Sequence, residues 1–98
     1  MAKEIKLTKR AQQKLVKIAE YLEEEFGVSV AQTFSARIID FFEVLSNYPS
    51  LGTLVDNKKD VYGFVLSKQI TVFYRAKEAE IIVLNLFDNR MNPKKSKY

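Results

Sequence analysis

The sequence predicts an α+β domain: an N-terminal short strand and an antiparallel helical hairpin packed on a small antiparallel sheet, in the order β-α-α-β-β-β. Two observations carry this. Three runs rich in β-branched and aromatic residues, Val61–Leu66, Ile70–Arg75 and Ile81–Phe87, are separated by links of three and five residues, which are hairpin lengths. Ahead of them, two stretches carry apolar residues every three or four positions, the period of helices with one buried stripe. These helices are joined by about three residues, so they must lie antiparallel, and their stripes need apolar surface from the strands to be covered.

Taken in order, Glu4-Ile5-Lys6-Leu7 alternates polar and apolar, as a strand buried on one face does. This strand can pair with an edge of the meander as a fourth strand. Thr8 is placed to cap a helix. From there Ala11, Leu15, Ile18, Leu22 and Phe26 share a face with Ala19 beside them, giving about five turns, and Gly27 supplies the stop. The acidic run Glu23-Glu24-Glu25 reads as a solvated face. Ser29 and Gln32 fit a capping box that opens the second helix. Its stripe is Ala31, Phe34, Ile38, Phe41 and Leu45, widened by Ile39 and Phe42, and Asn47-Tyr48-Pro49 ends it because proline disfavours helix at the residue before it. Pro49-Ser50-Leu51-Gly52 reads as a turn and Thr53 to Asp60 as a polar connection. Asp88-Asn89-Arg90-Met91-Asn92-Pro93 stops the last strand, since proline has no N–H to donate. Phe34, Phe41, Phe42, Phe64, Phe73 and Phe87 are expected in the core.

Composition narrows the chemistry. The chain has no cysteine and no histidine, which excludes disulfides, thiolate nucleophiles and imidazole acid–base catalysis. Gly27, Gly52 and Gly63 stand alone, so there is no phosphate-cradling glycine loop. Asp56, Asp60 and Asp88 match no metal-binding spacing, and neither metal nor cofactor is expected. No stretch resembles a signal peptide or a membrane span, so the expectation is one cytoplasmic domain over residues 1–98 with no membrane partner. Residues 1–60 are balanced, whereas residues 61–98 carry seven Lys/Arg against three Asp/Glu and hold the whole net charge of +4. A basic strand half ending in the tail 94–98 favours an anionic partner.

What remains is phosphate-directed chemistry by Lys, Arg and Tyr. Lys68 lies in a hairpin, Arg75 ends the middle strand and Arg90 follows the last. The three are expected to converge on one sheet end or edge, where arginine could clamp a phosphate and a tyrosine or lysine of lowered pKa could move a proton.

Several of these features occur together in one family. Ile5 and Leu7 before Thr8; Ala11, Leu15, Ile18 and Tyr21; Ala31, Phe34, Ile38 and Leu45; Tyr48-Pro49-Ser50-Leu51-Gly52; Val72-Phe73-Tyr74-Arg75; and Asp88 to Pro93 follow one another as in the RelE/ParE superfamily of toxins from type II toxin–antitoxin (plasmid stabilisation) modules. The chain resembles that superfamily over nearly its full length, and the Tyr-Pro-x-x-Gly turn and long helical hairpin look more like ParE than RelE. The resemblance implies a growth-inhibiting toxin and a cognate antitoxin as partner. In its ParE-like branch the target is DNA gyrase, inhibited by binding. In its RelE-like branch the protein is a metal-independent, ribosome-dependent mRNA endoribonuclease, an mRNA interferase. That branch uses an arginine inside the middle strand, where Thr71 stands here; Arg90 matches a basic residue after the last strand and Tyr98 a C-terminal tyrosine. As a ribonuclease the chain would rely on Arg90, Arg75 and Lys68. As a binding inhibitor it would use Arg90, Lys94, Lys95 and Lys97 against the target, with Arg90 fixing geometry and dispensable for folding. A non-toxic binding domain of the same fold is the third reading.

Overall fold

The computed structural model describes residues 2–91; Pro93, Lys94, Lys95, Lys97 and Tyr98 lie outside the described residues. The chain forms β1 (Glu4–Leu7), α1 (Lys9–Phe26), α2 (Val28–Asn47), β2 (Thr53–Asp56), β3 (Val61–Val65), β4 (Ile70–Ala76) and β5 (Glu80–Asp88). The sheet order is β1-β5-β4-β3-β2. β1 lies parallel to β5, and the other pairs are antiparallel. The α+β architecture is the expected one, with a mixed sheet of five strands.

The added strand is β2, within the segment read from sequence as a polar connection. Its residues are mostly exposed, Leu54 and Val55 among them, and a bulge interrupts its pairing with β3. An exposed edge strand has no buried face to impose period-2 alternation, so the sequence pattern that marks half-buried strands is missing. The Asp56 carboxylate accepts the Lys58 and Lys59 amides at 3.1 Å each, and Asp60 takes a left-handed conformation (φ 55°). These tighten the β2–β3 hairpin.

Thr8 caps α1 as expected, its Oγ1 accepting the Ala11 amide at 3.0 Å while donating to the Leu84 carbonyl at 3.1 Å. Leu84 is the extra residue of a bulge: Phe73 pairs with Asn85 and Tyr74 with Val83. The capping box at Ser29 does not form. Gly27 is at once the end of α1 and the start of α2, and its φ of 95° reverses the chain in one residue, a conformation open to glycine.

The helical hairpin covers one face of the sheet. Ala11, Ile18 and Leu22 of α1 and Ala31, Phe34, Ile38, Phe41 and Leu45 of α2 are buried against Ile70, Val72, Tyr74, Ile81, Val83 and Leu86. Phe41 stacks on Phe64 with centroids 4.8 Å apart. Four expected core residues are outside it: Phe73 and Phe87 meet edge to face at 5.8 Å on the other face of the sheet, and the other two belong to the helices. Ile39 is 65% exposed, on the face of α2 turned from the sheet, and Phe26 is 49% exposed in the last turn of α1. Cross-strand register places Thr71 with Phe87 and Val65, Phe73 with Asn85 and Gly63, and Arg75 with Ile82 and Val61, on the opposite face.

The Tyr48-Pro49-Ser50-Leu51-Gly52 segment is latched to the sheet by one phenol. The buried Tyr74 hydroxyl donates to the Pro49 carbonyl at 2.9 Å and accepts the Gly52 amide at 2.8 Å. A Cβ on Gly52 would lie 2.9 Å from both the Gly63 carbonyl oxygen and the Tyr74 hydroxyl, so this close approach requires glycine.

Candidate functional site

β5 ends at Asp88, whose cross-strand partner is Ile70; this register carries its side chain to the core face, where it is 1% exposed. A carboxylate there needs a partner, and the turn that follows supplies one. Arg90 donates its backbone N–H and Nε to Asp88 Oδ1 at 2.8 and 3.0 Å and Nη2 to Oδ2 at 2.7 Å. The Met91 amide closes the turn on the Asp88 carbonyl at 3.1 Å. From α1, the Tyr21 hydroxyl donates to the Arg90 carbonyl at 2.7 Å, and the Phe26 ring centroid lies 5.6 Å from the guanidinium. This contact explains why an apolar residue at the end of the α1 stripe stays at the surface. Hydrogen bonding to Asp88 raises the Arg90 pKa, opposed by its partial burial. The guanidinium is thus a permanent, fixed cation.

Beside it opens a cavity of about 220 Å³ lined by Thr33 and Arg37 of α2, Ser67 and Gln69 of the β3–β4 hairpin, and Arg90, among others. Asn89 ties the two turns together, its amide donating to the Gln69 carbonyl at 2.7 Å and its Nδ2 to the Lys68 carbonyl at 3.0 Å. Lys68 and Arg90 therefore share this sheet end. No motif or period in the sequence marks Arg37; the one signal for it is that it is the only basic residue between Lys17 and Lys58.

Arg75 does not join them. It lies five residues along β4 from Ile70, about 17 Å at the rise of an extended strand. There it lines a different cavity with Arg10, Lys58 and Lys59. Thr71, at the strand position where a ribonuclease would carry arginine, is paired with Val65 and Phe87. Lys14 stands 4.6 Å over the Phe87 ring, and burial first, then the charges of Arg10 and Lys17, lower its pKa.

The sheet end can hold a polar or anionic group through Arg90 and Arg37. Among the described residues, two groups there that could take a proton are already engaged: both oxygens of Asp88 by Arg90, and the Tyr21 hydroxyl by the Arg90 carbonyl. Among the described residues no group of three His, Cys, Asp or Glu side chains could hold a metal, and no helix is long and apolar enough to cross a membrane.

The fold defines a class, a helical hairpin on a small mixed sheet, shared with solved toxin structures. A chromosomal ParDE toxin–antitoxin system from P. aeruginosa superposes with TM-score 0.73 at 19% identity, covering 89% of this chain and 96% of that one. The toxin–antitoxin complex RelBE2 from Mycobacterium tuberculosis gives 0.67 at 15%, covering 90% and 99%, and the DinJ-YafQ toxin–antitoxin complex from E. coli gives 0.64 at 9%, covering 94% and 98%. The sequence itself is more particular: residues 5–93 match the family described as ParE toxin of type II toxin-antitoxin system, parDE. The chain belongs to that family. No curated protein matches it in sequence.

Proposed function

We propose that the chain is a type II toxin that inhibits DNA gyrase by binding it, and that a cognate antitoxin neutralises it. The observation that carries the choice of mechanism is the separation of the cations. Cleavage of RNA through its 2′-hydroxyl needs a proton acceptor and several cations around one phosphate. Here Arg75 stands about 17 Å along its strand from the Arg90 end, Arg90 is committed to Asp88, and Thr71 sits between Val65 and Phe87. Inhibition by binding needs none of that assembly. Arg90, held rigid with its side chain 28% exposed, is the residue we assign to target contact, with Lys94, Lys95 and Lys97 beyond it.

The antitoxin reading draws on the family match and on an open sheet edge. β2 occupies that edge with Leu54 and Val55 exposed, a surface suited to addition of an extended segment from a partner. The test is controlled induction in a bacterial host. Growth should slow, plasmid supercoiling should fall and the DNA-damage response should rise while transcripts stay intact, and co-expression of a small protein encoded beside the toxin should restore growth. Transcripts cut between codon positions with supercoiling unchanged would replace this mechanism with the ribonuclease one. Normal growth at every expression level would favour the non-toxic binding domain.

A further inference from the structure

We propose that Arg10, Lys58, Lys59 and Arg75 form a docking site for the phosphodiester backbone of duplex DNA, separate from the Arg90 end. Three elements bring these cations together around a cavity of about 470 Å³ that also meets Thr8, Val61 and Leu84. Arg10 comes from the first turn of α1 and Arg75 from β4. Lys58 and Lys59 come from the β2–β3 hairpin, whose backbone is fixed by the Asp56 carboxylate. Val61, which follows that hairpin, pairs directly with Arg75, so the sheet register sets the hairpin beside the guanidinium.

The Asp56 carboxylate of the hairpin accepts the Lys58 and Lys59 amides and does not line the cavity. No carboxylate lines the cavity, and among the described residues none of the four cations is ion-paired. The Arg75 Nε is buried and has no hydrogen-bond partner, an arrangement that costs free energy until an acceptor arrives. Lys9 and Arg10 occupy the first turn of α1, which contains no acidic residue; the helix dipole is positive there and disfavours cations. These features concentrate positive potential at one point.

The lining also selects among anionic occupants. Protein interfaces are anchored by exposed apolar or aromatic side chains, but the apolar lining here is only Val61, 1% exposed, and the half-buried Leu84, and the cavity has no aromatic residue. Single-stranded nucleic acid is held by stacking bases on aromatic rings, which the lining cannot offer. A duplex keeps its bases stacked and presents phosphates, and contacts of this kind give binding without base readout.

The test is fluorescence anisotropy of a labelled 20-base-pair DNA duplex with the purified full chain over a salt series. Binding should be insensitive to sequence and weaken with salt. Lys58→Gln with Lys59→Gln, both in an exposed hairpin, should weaken binding at least tenfold at low salt and reduce the slope of log K against log salt by about 2, at roughly 0.9 per lost phosphate contact. Arg75→Gln should also weaken binding, with circular dichroism confirming the fold; should it unfold, the lysine pair decides alone. An unchanged slope in the lysine variant would overturn the proposal, as would tighter binding of single-stranded RNA or of a polyglutamate peptide than of the duplex. The Arg90 end is untouched in these variants, so failure here leaves the gyrase reading standing.

Discussion

Asp88 and Arg90 form a closed unit two residues long: the guanidinium grips both carboxylate oxygens, and the Arg90 amide adds a third bond to Oδ1. The Asp88 side chain has no exposure, whereas that of Arg90 retains 28%. The arginine therefore satisfies the core carboxylate on one side and meets solvent on the other. The expectation that Arg90 is dispensable for folding does not fit this geometry.

Arg90→Ala should destabilise the protein by about 3 kcal/mol, because it strands a buried carboxylate, and should lower Tm by more than about 10 °C for a domain of this size. Replacing both partners, Asp88→Leu with Arg90→Met, should recover much of that loss. Thermal denaturation checks both. The double variant separates roles: if it is stable and still fully toxic, Arg90 serves the fold and makes no target contact.

Tyr74→Phe keeps the ring and its stacking on Tyr62 but removes the latch to Pro49 and Gly52, at a cost of about 1–3 kcal/mol for two backbone groups left without their partner. Burial, the largest cause, raises the phenol pKa above its ordinary 10.0, against a lowering hydrogen bond from Gly52. The native state thus holds this proton more tightly than the unfolded state. The contribution is fully present below the unfolded pKa and is lost as pH rises through the folded one. The stability gap between wild type and Tyr74→Phe should stay level from neutral pH to about 9.5 and narrow above 10, measured by urea unfolding at each pH.

Two glycines should fail for different reasons. A Cβ on Gly27 meets nothing within 4 Å, so Gly27→Ala costs only its positive-φ backbone (φ 95°, ψ 168°), about 1–3 kcal/mol. Gly52→Ala drives a methyl into the Gly63 carbonyl and the Tyr74 hydroxyl and should cost about 3 kcal/mol through overpacking and a disturbed latch. Introduced into Tyr74→Phe, Gly52→Ala should cost about 1 kcal/mol less than in the wild type, a coupling that Gly27→Ala should not show.

The sequence was most readable where burial imposes a period. Ala31, Phe34, Ile38, Phe41 and Leu45 of α2 are all in the core, and Thr8 caps α1, because helical spacing and capping are local. β2 escaped because an exposed edge strand carries no such signature. Periodicity puts Phe26 on the core side because it shows which face a side chain occupies and not whether the partner element extends that far; the ring instead meets Arg90. The candidate site was harder still. Arg75 and Arg90 look like companions at strand ends, but β4 and β5 run antiparallel, so the end of one strand lies beside the start of the other. The companions of Arg75 come from residues 10, 58 and 59, a long-range meeting that no local pattern encodes.

Lys68 offers the sharpest functional contrast. Its side chain is exposed in the β3–β4 hairpin and its carbonyl, not its ammonium, makes the contact to Asn89. Lys68→Ala should therefore change stability by no more than about 0.5 kcal/mol, as surface substitutions away from a packed or hydrogen-bonded group do. Under the ribonuclease reading, Lys68 and Arg37 are the described cations that could act beside Arg90, and losing a group that stabilises developing charge on a phosphate costs on the order of 100-fold in rate. Under inhibition by binding, it is a solvated lysine at the margin of the contact, and a rim charge alters encounter rate and salt dependence more than affinity. The expected outcome is a stable Lys68→Ala protein whose growth inhibition, titrated by inducer concentration, matches the wild type to within a few-fold. A stable variant that has lost toxicity altogether would move the Lys68–Arg90 end from a docking surface to a catalytic one.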